Sequence, residues 1–155
     1  MKINIPGQEL LELKNVVFDY NGTLAIDGKL INGVSQNIND LSDRLKFYVI
    51  TADTYGSVQK QLEDTNCEVI IIPKSQQDIS KLNFVKELGA TMTLSAGNGR
   101  NDHLMLKETI VGIGILQDEG ICTATLMNSD IVCKSIEDVF GYLKNPNRLI
   151  ATLRN

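Results

Sequence analysis

Asn15-Val16-Val17-Phe18-Asp19-Tyr20-Asn21-Gly22-Thr23-Leu24 is an apolar, β-branched run that ends in an aspartate and breaks at once into Asn-Gly-Thr. Such a run predicts a short buried strand over 15–19. The turn that follows presents backbone N–H groups that can converge on an anion. In open α/β sheets the active site lies just beyond the carboxyl ends of the strands. Asp19 is therefore a candidate nucleophile and a candidate metal ligand at once. Two residues on, Asn21 supplies an amide where a second acid is expected.

Working outward, strand-like and helix-like stretches alternate from residue 15 to the end. Thr23–Val34 alternates apolar positions around Asp27-Gly28, a hairpin signal. Ser35 is placed to cap a helix carrying Ile38, Leu41 and Leu45. Phe47–Thr51 reads as a second strand, and Thr54 as the cap of a helix with Val58 and Leu62. Glu68–Ile72 is a third strand, stopped by Pro73. A helix from about Gln77 turns Ile79, Leu82, Val85 and Leu88 inward and stops at Gly89. Thr91–Ser95 makes a fourth strand that runs into Gly97-Asn98-Gly99-Arg100-Asn101-Asp102. A short helix holds Met105-Leu106, Val111–Ile115 and Ile131–Cys133 make two more strands, Ser135 caps a last helix, and Arg148–Arg154 is a basic tail. The pattern predicts one Rossmann-like, three-layer α/β domain over 1–155, with a mostly parallel sheet, right-handed crossovers and a small β-hairpin flap.

Composition narrows the function classes. The 155 residues suffice for one domain with a sizeable core, and 43% hydrophobic with 22% charged is ordinary for a globular chain. A net charge of −4, few aromatics and no tryptophan argue against nucleic-acid binding. No segment has the length and apolarity of a signal peptide core or a membrane span. Three scattered cysteines, Cys67, Cys122 and Cys133, without a CxxC pair, read as reduced and buried, which points to the cytoplasm.

Asp19–Thr23, Thr51-Ala52-Asp53, Lys81 and Gly97–Asp102 all fall at or after the carboxyl ends of separate strands, so a parallel sheet brings them to one edge. Asp19 offers a nucleophile and a hard oxygen. Thr51 offers a hydroxyl and a helix-entry N–H, Lys81 a positive charge, and Asp102 a second carboxylate suited to magnesium. Together these are the components of phosphoryl transfer.

On these residues the chain resembles the haloacid dehalogenase superfamily of aspartate-nucleophile phosphohydrolases. Phe18-Asp19-Tyr20-Asn21-Gly22-Thr23-Leu24, Val49-Ile50-Thr51, Lys81 and Gly97-Asn98-Gly99-Arg100-Asn101-Asp102 stand in the order of its four motifs. The spelling is most similar to soluble relatives of the P-type ATPase phosphorylation domain. The resemblance implies a magnesium-dependent phosphatase in which Asp19 forms an aspartyl phosphate. Thr51 and Lys81 would assist it, and Tyr20, Asn21, Gly22, Thr51, Ala52 and Lys81 would surround the phosphoryl group. Asp19, Asn21 (through its carbonyl), Asn98 and Asp102 would hold the metal. Asp53 is either a nucleotide contact, by analogy with the ATPases, or a helix-start acid. The gaps between motifs are too short for a cap domain, which implies an open site for a bulky phosphorylated substrate, or one that a second copy of the chain covers.

Two positions depart from the superfamily's pattern. Asn21 stands where many members carry the general acid, and Asn98 where they carry a metal-binding aspartate. General acid–base catalysis contributes roughly 10²–10⁴ in rate, so slow turnover is expected. The alternative is a catalytically impaired phosphate-binding module that regulates a protein partner. Both asparagines precede glycine, a context prone to deamidation, so each is a candidate for conversion to aspartate.

Overall fold

The computed structural model describes residues 1–53 and 56–155. In chain order, β1 (Lys2–Ile3) pairs with β2 (Leu11–Glu12) as a small antiparallel ribbon. It is followed by β3 (Asn15–Asp19), the hairpin of β4 (Ala25–Ile26) and β5 (Lys29–Leu30), and α1 (Val34–Leu41). Then come β6 (Lys46–Thr51), α2 (Ser57–Gln61), β7 (Glu68–Ile71) and α3 (Gln77–Leu88). After a 3₁₀ turn at Ala90–Met92 stand β8 (Thr93–Gly97), a second 3₁₀ turn at Arg100–Asp102 and α4 (His103–Glu108). The chain closes with β9 (Val111–Ile115), α5 (Thr123–Leu126), β10 (Ile131–Cys133), α6 (Ile136–Lys144) and α7 (Pro146–Leu153).

Six strands form one parallel sheet in the order β10-β9-β8-β3-β6-β7. The first of them in sequence, β3, lies inside the sheet. The chain builds outward from it through β6 and β7, then returns to its other side with β8. That reversal is the topological switch point, where a crevice opens at the carboxyl ends of the strands. Every residue of β3 is buried, as a parallel strand covered on both faces requires. Val16 and Phe18 face one layer, containing Ile38, Val139 and Phe140; Val17 faces the other, with Ile50, Val85, Met105 and Leu106. Phe18 anchors its layer by stacking on Phe47 at 6.1 Å and meeting Phe140 edge-on at 5.7 Å. At the tip of the hairpin, Asp27 and Gly28 both have positive φ, 51° and 72°, the backbone a two-residue turn of this hand demands.

Several local expectations are corrected. Helix α1 is entered through Gly33 at φ 90°, not Ser35, whose Oγ instead accepts the Thr65 hydroxyl at 2.7 Å. Thr54 lies outside the described residues. Ile79 is 43% exposed, because the inward stripe of α3 runs through Lys81 and Val85, and a residue two positions before Lys81 sits on the opposite side. The basic tail is helix α7, with Pro146 in its first turn and Leu149 buried, so α6 is not the last helix. Of the cysteines, none of which is paired, only Cys133 is buried; Cys67 and Cys122 are partly accessible. Among the described residues no helix is long and apolar enough to cross a membrane.

Removing the ring that joins β3 to its covering helix tests this arrangement. Phe18→Ala should destabilise the fold by roughly 3–5 kcal/mol, read as a lower urea midpoint with an unchanged slope.

Candidate active site

The switch point places Asp19 as the last residue of β3, opposite Ile50 and one residue short of Thr51 on β6. On its other flank Phe18 pairs with Ala96, so Gly97 and the loop behind it begin at the same level. Helix α3 lies against this edge and sends Lys81 into it. The Lys81 ammonium is fully buried and donates to Asp19 Oδ1 at 2.5 Å and to Asp102 Oδ1 at 2.6 Å. Asp102 spends its second oxygen on the Gly99 N–H at 2.8 Å, which folds the 3₁₀ turn around the carboxylate. The expected trio of Asp19, Lys81 and Asp102 is thus one contact group.

Its charges do not balance. Two carboxylates share one ammonium. Burial and the charge of Asp102 push the Asp19 carboxyl up to about 7, against the lowering pull of Lys81 and of the Tyr20 backbone. Burial works against the Lys81 cation, but attraction from Asp102 and Asp19 and its hydrogen bonds to both win, holding it above the ordinary lysine value. The imbalance leaves room for one further positive charge, a proton on Asp19 or a cation. Among the described residues no cluster of three or more His, Cys, Asp or Glu side chains exists to hold a metal. The donors that the resemblance implies are two carboxylates, the Asn21 carbonyl and the Asn98 amide oxygen. This all-oxygen set of low charge fits magnesium, which keeps several waters, and does not fit zinc.

Glycines permit the close packing. Gly22 has φ 77°, and a Cβ there would lie 2.2 Å from Asn98 Nδ2; a Cβ on Gly97 would lie 2.4 Å from Asp102 Cγ. Asn98 is buried, with its amide donating to the Gly120 carbonyl at 3.0 Å and its oxygen accepting from Thr23 at 3.4 Å. Asn21, by contrast, is exposed at the mouth. Both following glycines have their N–H engaged, Gly22 by the Ala25 carbonyl and Gly99 by Asp102. The nitrogen that would attack the asparagine amide is therefore held in a hydrogen bond, and the structure argues against easy deamidation at either position.

Thr51 is buried, and its Oγ1 accepts the Asp53 N–H at 3.3 Å. Asp53 in turn accepts from the Ser57 hydroxyl and the Val58 N–H, as a helix-start acid does. Tyr20 is only 1% exposed, and its hydroxyl has no hydrogen-bond partner among the described residues. It forms the inner wall of a cavity of about 370 Å³ lined also by Asn21, Thr51, Ala52, Asp53 and Gln77. A larger depression of about 720 Å³ sits at the opposite end of β6 and β7, around Lys46, Tyr48 and Glu68, and contains none of the candidate site residues. His103 Nδ1 lies 2.6 Å from the Arg100 carbonyl and serves the loop locally. One site-bordering residue, Gln117, carried no motif; its side chain reaches the Gly22 and Thr23 carbonyls.

No protein-family model matches the chain. It is similar to two uncharacterised proteins of Methanocaldococcus jannaschii. One is 41% identical over 83 residues, 51% of this chain and 89% of that protein. The other is 41% identical over 39 residues, 25% of this chain and 89% of that protein. Among solved structures it resembles the cobalt-bound deoxy-D-mannose-octulosonate 8-phosphate phosphatase of Haemophilus influenzae, with TM-score 0.72, 12% identity and 93% of this chain on 94% of that one. The Moraxella catarrhalis 3-deoxy-D-manno-octulosonate 8-phosphate phosphatase, solved with magnesium, phosphate and sugar acid, gives 0.68 at 18% identity, with 92% and 94% covered. A Streptomyces avermitilis protein assigned to the HAD hydrolase family gives 0.71 at 16% identity, with 93% and 91% covered. The fold is that of the haloacid dehalogenase hydrolases.

The charge imbalance makes a paired prediction for metal-free protein. Lys81→Met leaves two buried carboxylates facing each other and should cost roughly 3–5 kcal/mol, a fall in Tm on the order of 10 °C. Asp19→Asn relieves the repulsion and should match or exceed wild type in Tm. Because Asp19 holds its proton more tightly folded (about 7) than unfolded (3.8), stability falls as pH rises between those values and levels above them. The advantage of Asp19→Asn should therefore widen across that window in a chelator-containing thermal melt.

Proposed function

Since this chain belongs to one family with the two uncharacterised Methanocaldococcus jannaschii proteins and has the haloacid dehalogenase fold, we propose that it is a magnesium-dependent phosphohydrolase acting through an aspartyl phosphate on Asp19. The observation that carries this reading is the buried Lys81 bridging Asp19 and Asp102 at the switch point of the sheet. A structural ion pair needs one carboxylate; a second one beside it leaves excess negative charge where a phosphoryl group and its metal would bind.

In this reading a carboxylate oxygen of Asp19 attacks phosphorus as the bond to the leaving oxygen breaks, and water later displaces phosphate from Asp19. Lys81 and the Thr51 hydroxyl hold the phosphoryl oxygens, with the backbone of Tyr20, Asn21, Gly22 and Ala52 around them. Asp19, Asp102, the Asn21 carbonyl and Asn98 would hold magnesium, which would supply positive charge against the phosphoryl oxygens. Asn21 exchanges no proton at neutral pH, so the leaving oxygen departs unprotonated or takes its proton from solvent, and turnover is slow. The residues form one capless domain over 1–155, open enough for a bulky phosphorylated substrate or for a second copy as lid. The unpaired cysteines agree with a cytoplasmic setting. The P-type ATPase-like spelling fits a site better at capturing phosphoryl groups than at releasing them.

One observation favours the second reading, a phosphate-binding module that regulates a partner. The Asn98 amide is used at both ends to hold neighbouring loops, which weakens it as a metal ligand.

Phosphate release from an aryl phosphate separates the two, because an aryl leaving group needs little protonation. With magnesium, release should be lost in Asp19→Ala and on chelation, and rise by up to about 10²-fold in Asn21→Asp, where the new carboxylate activates the water that displaces phosphate from Asp19. No release above the Asp19→Ala background, in wild type and in Asn21→Asp alike, would overturn the enzymatic reading in favour of the module.

A further inference from the structure

The turn after β3 satisfies most of its N–H groups internally. The Tyr20 carbonyl accepts from Thr23, Leu24 and Ala25 at 3.2, 2.9 and 2.9 Å, and the Gly22 N–H reaches the Ala25 carbonyl at 2.8 Å. The carbonyls of Gly22 and Thr23 find their partner elsewhere: Nε2 of Gln117, half-buried just beyond β9, donates to both, at 2.9 and 2.8 Å. Its Oε1 accepts the Ile136 N–H at 3.2 Å, one of the donors that the first turn of α6 leaves without an intrahelical acceptor. Two carbonyls face the NH₂ and one N–H faces the oxygen, so the amide has one satisfiable orientation.

The same segment holds the neighbouring loops. Glu119 accepts the Asp27 N–H of the hairpin at 2.9 Å, the Gly120 carbonyl takes the Asn98 amide, and the Cys122 N–H donates to the Asn98 carbonyl at 2.9 Å. Within six residues, Gln117–Cys122, the chain fastens the phosphate-facing turn, the hairpin and the Gly97–Asp102 loop to one another.

We infer that Gln117 is a positioning residue for phosphoryl transfer: it clamps the Gly22 and Thr23 peptides, and so sets where Asn21 and the anion-facing backbone stand relative to Asp19. This rests on the phosphohydrolase reading above. Gln117 touches none of the proposed reacting groups, so its effect passes through the turn, whose small displacement would cost roughly 10–100-fold in rate.

Replacing each half of the amide in turn tests the inference. Gln117→Lys keeps a donor for the two carbonyls and loses the acceptor for Ile136. Gln117→Glu keeps the acceptor and sets an anion against the carbonyls, and Gln117→Leu keeps the bulk and loses both. The readouts are kcat and KM on an aryl phosphate with magnesium, and amide hydrogen exchange of Gly22, Leu24 and Ala25 against Val16–Phe18 of β3. Expected for Gln117→Glu and Gln117→Leu are a kcat reduced about tenfold or more, KM within about threefold, and exchange at the turn about tenfold faster with β3 unchanged. Gln117→Lys should stay within about threefold of wild type in kcat and in exchange. Unchanged exchange at the turn in Gln117→Glu and Gln117→Leu would overturn the inference, as would equal impairment of Gln117→Lys and Gln117→Glu. If one variant fails to fold, the other two still decide the matter. A wild type without turnover overturns the phosphohydrolase reading instead, and turn exchange alone then decides the role of Gln117.

Discussion

A buried ammonium between two carboxylates governs the carboxyl edge of this sheet. An unpaired lysine with no exposed surface would be prohibitive, and two adjacent buried carboxylates nearly so. Together they tie α3, β3 and the loop after β8 into one unit. Much of the local structure follows from this contact. Helix α3 is rotated to bring Lys81 inward, which turns Ile79 out to solvent. The loop after β8 wraps Asp102 so closely that residue 97 has no room for a side chain. The Gly99 N–H is aimed at the same carboxylate. The unit remains one positive charge short, and that shortage, which neutral packing would never produce, is the strongest physical sign of a ligand site in the molecule.

The two asparagines part company in three dimensions. Asn21 stands exposed at the mouth, where a side chain meets whatever enters. Asn98 is buried and tied at both ends of its amide. The first carries no titratable proton; the second spends both ends of its amide on hydrogen bonds that hold loops together. The wide cavity beside Thr51 is bordered by the hairpin at Gly28 and leaves this edge accessible.

Where the sequence was readable, the signal had length or period. The five buried residues of β3, the apolar runs of β6, β8 and β9, and the twelve-residue α3 ending at Gly89 each repeat a physical pattern often enough to be seen. The ribbon of β1 and β2 and the four-residue α5 were missed because elements this short show no periodicity. Ser35 reads as a cap because serine is a good one; Gly33, free to adopt positive φ, ends the preceding turn first. Gln117 could not be found at all, since a lone glutamine in a loop carries no mark of the carbonyls it will meet.

By itself, the sequence determined the fold class and the edge of the sheet at which Asp19, Thr51, Lys81 and Asp102 stand. Alternation of apolar runs fixes strand and helix, and the rule that parallel strands share their ends brings Asp19, Thr51, Lys81 and Asp102 together. Only the tertiary structure decided how those groups share charge. It decided that Lys81 serves both carboxylates, that burial and Asp102 lift the Asp19 carboxyl, that Asn98 is a tie and Asn21 a surface, and that Gln117 holds the turn. Those properties depend on distances of a few ångströms between segments up to about a hundred residues apart and on the water excluded around them, and neither quantity is written in local sequence.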